Sequence, residues 1–324
     1  MMANSNQPLV SVCIITYNHE KYIEQCLDSI VSQRTEFSFE IVIRDDGSND
    51  RTLKIIELYQ KRYPHLFNVL DSKVNLGANK NILQVFSACA GKYVAICEGD
   101  DFWVDEFKLH KQVRLLECNL DCSLLIHPCY EVNGLSKKIG YLKSKSKFTA
   151  QDIVDVSGQF APSASYFFRS TVLNDIPAWF SDLPIGDFFI ELYAQKSGLC
   201  LYNADVVCAY RTFSSGSWSD DIRTGKHLLF IERYKLILEA LEFAKADFRI
   251  DFSKKESSLN VSIAYLMLLA RNYKGFYEYL TIANAIKTDV TTTQKLMSYM
   301  ISFPRFLRLL FLCKYKVFNF LRLR

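Results

Sequence analysis

Across its first 126 residues the chain alternates short apolar runs with stretches of helical periodicity, and nothing else in it constrains the fold as much. Residues 9–16 form a near-continuous run rich in Val and Ile, as in a parallel strand buried on both faces. Residues 20–33 follow with apolar pairs at Tyr22/Ile23, Cys26/Leu27 and Ile30/Val31, which is helical spacing. The alternation continues with strands expected at 39–43, 67–70, 92–97 and 123–126, and helices at 50–63, 78–90 and 105–118. Pro64 ends the second helix and Gly91 is expected to cap the third. Repeated β-α units of this length predict an α/β fold with an open, mostly parallel sheet flanked by helices. Ligands in such sheets lie beyond the carboxyl ends of the strands, which directs attention to the loops there.

After Cys129 the pattern loosens. Residues 166–168 and 199–211 read as strands, with a helix over 186–197 between them. From Arg223 the periods are almost all helical, in four or five segments. The expected organisation is therefore a catalytic domain over 1–219 and a helical C-terminal region over 220–324. Of the 324 residues 49% are hydrophobic and 23% charged, which excludes a disordered chain. Ten cysteines are scattered without a C-x-x-C, mostly in apolar runs, so free thiols in a reducing compartment are the simplest reading. No apolar leader core opens the chain, and no run of about 18 uncharged apolar residues predicts a spanning helix.

Three polar loops follow expected strands. They are Thr16-Tyr17-Asn18-His19, Arg44-Asp45-Asp46-Gly47-Ser48, and Glu98-Gly99-Asp100-Asp101. Parallel strands would bring them to one end of one sheet. Asp45 to Ser48 also reads as a plain turn and helix N-cap. The acidic loop is more telling: its three carboxylates repel one another unless a cation or donor is present, and hard oxygen ligands in this number suit Mg²⁺ or Mn²⁺. Walker, G-x-G-x-x-G and G-x-S-x-G sequences are absent, so nucleotide phosphates would need the metal rather than a glycine cradle.

The run Val10 to Asn18, then Cys26-Leu27-Asp28-Ser29-Ile30 with Gln33, Glu40 to Thr52, Asn75-Leu76-Gly77, and Glu98 to Trp103, resembles in order the family-2 inverting glycosyltransferases of GT-A fold, of the bacterial polysaccharide and cell-envelope type. The resemblance covers about residues 8–219. It implies a metal-dependent, inverting transfer of a sugar from a nucleotide-sugar, by family frequency a UDP-sugar, to a hydroxyl of a glycan or lipid-linked acceptor. By the same resemblance Thr16, Tyr17 and Asn18 lie along the nucleoside, and Asp45 and Asp46 hold base and ribose edges. Glu98-Gly99-Asp100 stands at the D-x-D position. Asp100 is then the direct ligand of Mg²⁺ or Mn²⁺, Glu98 reaches a ribose hydroxyl or metal-bound water, and Asp101 neighbours metal or sugar. Trp103 would wall the sugar site, or else be a core aromatic. The family's base is an acid opening a helix beyond the acceptor strand, a location matched by Asp187, which also reads as a plain N-cap. Residues 210–219 resemble the family's closing loop, with Phe213 where His is frequent, leaving more to Arg211 and the serines.

Two other classes fit the loops: a metal-dependent nucleotidyltransferase, which would release pyrophosphate, and a non-catalytic nucleotide-sugar binder. From Val290 onward there are seven basic residues and no acid, leaving the rest of the chain at −3. The expected partners are a nucleotide-sugar, the acceptor, and an anionic membrane surface met by a basic amphipathic helix started by Pro304, with no nucleic acid. That places the protein in the cytoplasm at the inner face of the membrane. The competing reading packs this helix on the body with its charges outward.

Overall fold

The protein is described by a computed structural model covering residues 7–134, 136–212, 214, 226–286, 288 and 291–322, with the side chains of 314–322 excepted. It forms two compact units. One comprises residues 1–153 and 158–220, the other residues 154–157 and 221–324.

The first unit contains strands β1 (Val10–Thr16), β2 (Phe39–Asp45), β3 (Phe67–Val69), β4 (Tyr93–Ile96), β5 (Phe102–Trp103), β6 (Cys122–Ile126), β7 (Cys129–Asn133), β8 (Ser136–Gly140), β9 (Lys147–Phe148), β10 (Phe167–Arg169), β11 (Leu199–Tyr202) and β12 (Cys208–Arg211). Its helices are α1 (Ile23–Val31), α2 (Thr52–Arg62), α3 (Ala78–Ser87), α4 (Lys108–Cys118), α5 (Ala150–Val154), whose last residue belongs to the second unit, and α6 (Asp187–Ala194). The main sheet runs β3-β2-β1-β4-β10-β6-β11-β9. β1 is parallel to β2 and β4, β2 to β3, and β6 to β11, while β10 enters antiparallel between β4 and β6. This is the mixed α/β architecture expected, a large mostly parallel sheet flanked by helices.

Val12, Ile14, Ile41, Ile43 and Ala95 from the strands and Ile23, Leu27, Ile30 and Ile56 from the helices share one core, each at 0% exposure. Burying each such side chain stabilises the fold by about 1.5–3 kcal/mol. Because β1, β2 and β4 are parallel and Thr16 pairs with Asp45, the loops after all three leave the sheet at one edge.

Two local expectations change, and of the two readings of Trp103 the core one describes its packing. Helix α3 ends at Ser87 with Ala88 as its cap, so Gly91 is not the cap. It presses against β1 instead, where a Cβ would come 2.5 Å from the Ser11 nitrogen. The run 199–211 is two strands in different sheets, β11 in the main sheet and β12 in a second one ordered β5-β12-β7-β8. Trp103 is a core aromatic, 4% exposed, with the buried Lys108 ammonium 4.3 Å from its ring centre.

The second unit contains α7 (His227–Asp247), α8 (Ser253–Leu269), α9 (Tyr273–Ala285), α10 (Thr292–Tyr299) and α11 (Pro304–Arg322). Its core joins Ile231, Ile263, Leu268, Phe276, Leu280 and Met297 to Leu307 and Phe311 of α11. Pro304 opens α11 as expected. Among the described residues no helix is long and apolar enough to cross a membrane.

Candidate active site

The loops after β1 and β2 are stitched to each other. Asn18 takes a left-handed backbone (φ +56°), donates its N–H to Ser48 Oγ at 2.7 Å and accepts from the Asn49 N–H at 2.8 Å through Oδ1. The His19 N–H donates to Thr52 Oγ1 at 2.8 Å. Asp45, 1% exposed, accepts the Ser48 N–H at 2.9 Å and the Ser48 hydroxyl. Asp46 is 4% exposed. Its carboxylate accepts Arg44 Nη1 and the Leu76 and Gly77 N–H groups, each at 2.8 Å. Arg44, 5% exposed, also donates to Asn81 Oδ1 and to the Asp71 and Val74 carbonyls. Asn18 and Asp46 are thus engaged in holding the loops. Thr16, with a buried hydroxyl lacking a partner, and Tyr17, 41% exposed, remain on the same edge.

Gly99 lets the acidic loop close onto the β1 loop. A Cβ there would lie 2.6 Å from Thr16 Oγ1 and 3.0 Å from His19 Nδ1. His19 Nδ1 is buried without a hydrogen-bond partner and sits 4.0 Å from Asp100 Oδ1. Asp100 Oδ2 accepts the Ser214 hydroxyl. Asp101, 1% exposed, accepts the Arg211 N–H at 2.8 Å, and its Oδ2 has no partner. Burial, then Asp100 and Glu98, push the Asp101 carboxyl well above its ordinary range. Arg211 donates to the Asp100 carbonyl at 3.0 Å and to Gln25 Oε1, with its guanidinium near the rings of Tyr22 and Phe102. It fastens β12 to the acidic loop. Of the expected closing loop, 213 and 215–219 lie outside the described residues, as does the expected boundary at 219–220.

Glu98 accepts the Ser163 hydroxyl at 2.7 Å. Burial raises its carboxyl to about 8, with help from the charges of Asp187 and Asp100 and against the Ser163 bond. The Asp187 charge is felt at Glu98, 89 positions earlier in the chain. Asp187 opens α6. Burial, then the charge of Glu191 one turn on, raises it to about 7, opposed by a 3.1 Å bond donated by Gln159 Nε2.

A divalent cation suits the donor set. Asp100 offers carboxylate oxygen beside an imidazole nitrogen that is buried and unpartnered, and Mg²⁺ or Mn²⁺ takes few protein ligands when substrate phosphates complete the shell. Among the described residues, no group of three or more His, Cys, Asp or Glu side chains is already gathered for a metal. Sequence reasoning missed Ser163 and Gln159, which lie in irregular chain where periodicity carries no signal. His19 stands in the first polar loop, where residue type alone assigns it no role.

Comparison with known proteins gives the family and the fold. Residues 11–176 match the family model described as glycosyl transferase family 2. The uncharacterized protein Rv1520 of Mycobacterium tuberculosis is 33% identical over 213 residues, 64% of this chain and 60% of that protein. The chain thus spans about 60% of the length of that curated relative. Staphylococcus aureus TarS 1–349, solved with UDP-GlcNAc, superposes with a TM-score of 0.58 at 20% identity over 84% of this chain and 80% of that one. The mannosyltransferase PcManGT of Pyrobaculum calidifontis, solved with GDP-Man and Mn²⁺, gives 0.57 at 16% identity over 97% and 87%. These two likenesses establish the shared fold.

Proposed function

The chain belongs to glycosyl transferase family 2, and from that premise we propose that it moves a sugar, with inversion, from a nucleotide-sugar to a hydroxyl of a glycan or lipid-linked acceptor. The observation that carries the reading is the gathering of the loops after β1, β2 and β4 at one edge of the sheet, where Asp100 stands 4.0 Å from the buried, unpartnered His19 Nδ1. A nucleoside-diphosphate sugar as donor is supported by one neighbour of the same fold solved with UDP-GlcNAc and another with GDP-Man, and UDP-sugar is the donor we favour on family frequency.

Thr16, Tyr17 and Asp45 line the nucleoside. Asn18, Asp46 and Arg211 hold the loops that present it. Asp100, with His19 beside it, would hold Mg²⁺ or Mn²⁺. When bound, the cation neutralises charge gathering on the departing diphosphate. Glu98, whose carboxyl is pushed up by burial and by the Asp187 and Asp100 charges before a cation binds, faces the sugar or ribose. The acceptor oxygen attacks the anomeric carbon opposite the diphosphate, the bond from that carbon to the leaving oxygen breaks, and Asp187 takes the hydroxyl proton. A base near 7 is matched to that task at neutral pH. Holding the remote nucleotide aligns the sugar for attack.

The basic C-terminal segment rests on an anionic membrane surface in this reading, bringing a lipid-linked acceptor within reach. In support, α11 has two apolar faces: Leu307 and Phe311 are buried in the second unit, while Phe303 just before the helix and Phe306, Leu309 and Leu310 within it are 40–66% exposed. The function is tested by a thermal-shift panel of nucleotides and nucleotide-sugars with Mn²⁺. A donor at a hundred times its Kd stabilises by about 2.7 kcal/mol. UDP and UDP-sugars are expected to raise the melting temperature, and a panel in which no nucleotide does so contradicts the reading.

A further inference from the structure

Tyr141 and Gln159 make a two-step hydrogen-bond chain that ends on Asp187. The Tyr141 hydroxyl donates to Gln159 Oε1 at 2.8 Å, and Gln159 Nε2 donates to Asp187 Oδ2 at 3.1 Å. Tyr141 directly follows the β7–β8 hairpin, with its backbone at φ +62°, a left-handed conformation that a bulky residue keeps only where the surroundings enforce it. Gln159 stands in the irregular segment just before Phe160. Neither residue belongs to α6, so the carboxylate is held from outside its own helix.

The chain has a direction. An ionised carboxylate only accepts, so the amide must turn its NH₂ toward Asp187 and its carbonyl toward Tyr141. Tyr141 must then donate. This polarity holds the ionised form of Asp187 and weakens if Asp187 is protonated. We propose that Gln159, with its amide oriented by Tyr141, is the positioning residue of the Asp187 base, fixing the carboxylate's rotamer and favouring its ionised state. The proposal deepens the glycosyltransferase reading and rests on Asp187 being that base.

The opposing groups are plain. Glu191 lies one turn along α6, buried and accepting the Tyr166 hydroxyl at 2.6 Å and the Ala161 N–H at 2.9 Å. Glu98 faces the site from the end of β4, and the phenols of Tyr141, Tyr166 and Tyr210 feel the Asp187 charge from the β8, β10 and β12 sides. None of these groups donates a hydrogen bond to Asp187 among the described residues. Gln159 is the donor that offsets them.

The test needs no substrate. Carbon-13-labelled aspartate is titrated by NMR on the full chain, with Asp187→Asn assigning the resonance, in parent, Gln159→Ala, Gln159→Glu and Tyr141→Phe proteins. Losing the bond raises the Asp187 midpoint by about one unit, a tenfold change in the ionised fraction below it. Tyr141→Phe shifts it the same way by less, and Gln159→Glu, which cannot donate when ionised, by at least as much as alanine. Backbone amide spectra check folding, and Tyr141→Phe, which removes one oxygen, serves if a Gln159 variant fails to fold. An unmoved midpoint in the folded Gln159→Ala protein, or in Tyr141→Phe if that is the variant that folds, overturns the proposal. If the midpoint moves while Asp187→Asn leaves sugar transfer intact, it is the base assignment that fails.

Discussion

Glu98 and Asp187 are both acids lifted toward neutrality, and the sign of each shift makes separate claims on activity and on stability. Asp187 must be ionised to accept a proton, so kcat is expected to climb with pH through about 7. Asp187→Asn should lower turnover by about 10²-fold or more with donor affinity nearly unchanged, measured by steady-state kinetics against direct binding. A parallel collapse of donor affinity would make Asp187 a cap or donor contact. Glu98 holds its proton in the folded state up to about 8, whereas an unfolded glutamate loses it near 4.3. Its contribution to stability is therefore present at low pH and lost as pH rises toward 8. In chelator, the melting temperature of the parent should fall from pH 5 to 8.5, and that of Glu98→Gln should fall less. Equal slopes would mean Glu98 titrates normally. Asp100→Ala should abolish turnover and metal-dependent nucleoside-diphosphate binding in a folded protein. Near-parent rates with Mg²⁺ or Mn²⁺ would refute the ligand assignment.

At the level of elements, β1, β2 and β4 could be read from apolar runs because a strand buried on both faces writes its burial directly into sequence. Their parallel packing then located the loops. β10, which crosses antiparallel between β4 and β6, and the small β5-β12-β7-β8 sheet depend on partners far along the chain, which local periodicity cannot encode. The same limit hid the inward turn of Asp46. Asp45-Asp46 reads as two available acids, yet the buried Arg44 and two backbone N–H groups occupy the second. Gln159 and Tyr141 were illegible for a similar reason, since they meet Asp187 only through the fold. Arg44→Met tests the loop account. It leaves Asp46 buried without its guanidinium, which should destabilise by about 3–5 kcal/mol in denaturant unfolding. Adding Asp46→Asn should recover part of that loss. A change below about 1 kcal/mol for Arg44→Met would show that the network is not a structural anchor.

For the whole molecule, the tail packs on the second unit through Leu307 and Phe311, and its expected membrane contact stays a proposal. One face of α11 packs into the second unit, and an aromatic and aliphatic face is left exposed in a segment without acids. Deleting residues 302–324 would strip Leu307 and Phe311 from a core, so the discriminating variant replaces Phe303, Phe306, Leu309 and Leu310 by Ser. The parent should float with anionic liposomes at low salt and the quadruple variant should not. Equal flotation of both, or of neither, removes the membrane claim and leaves the catalytic one standing. The central claim is sugar transfer from a nucleotide donor with Asp187 as base. Its most direct test is phosphorus NMR of the nucleotide products from parent and Asp187→Asn proteins given UDP-, dTDP- and GDP-sugars, Mn²⁺ and a mixture of glycan and lipid-linked acceptors. The account predicts nucleoside diphosphate from the parent, formed about 10²-fold or more slowly by the variant. No nucleoside diphosphate from any donor, or equal rates from parent and variant, would contradict it.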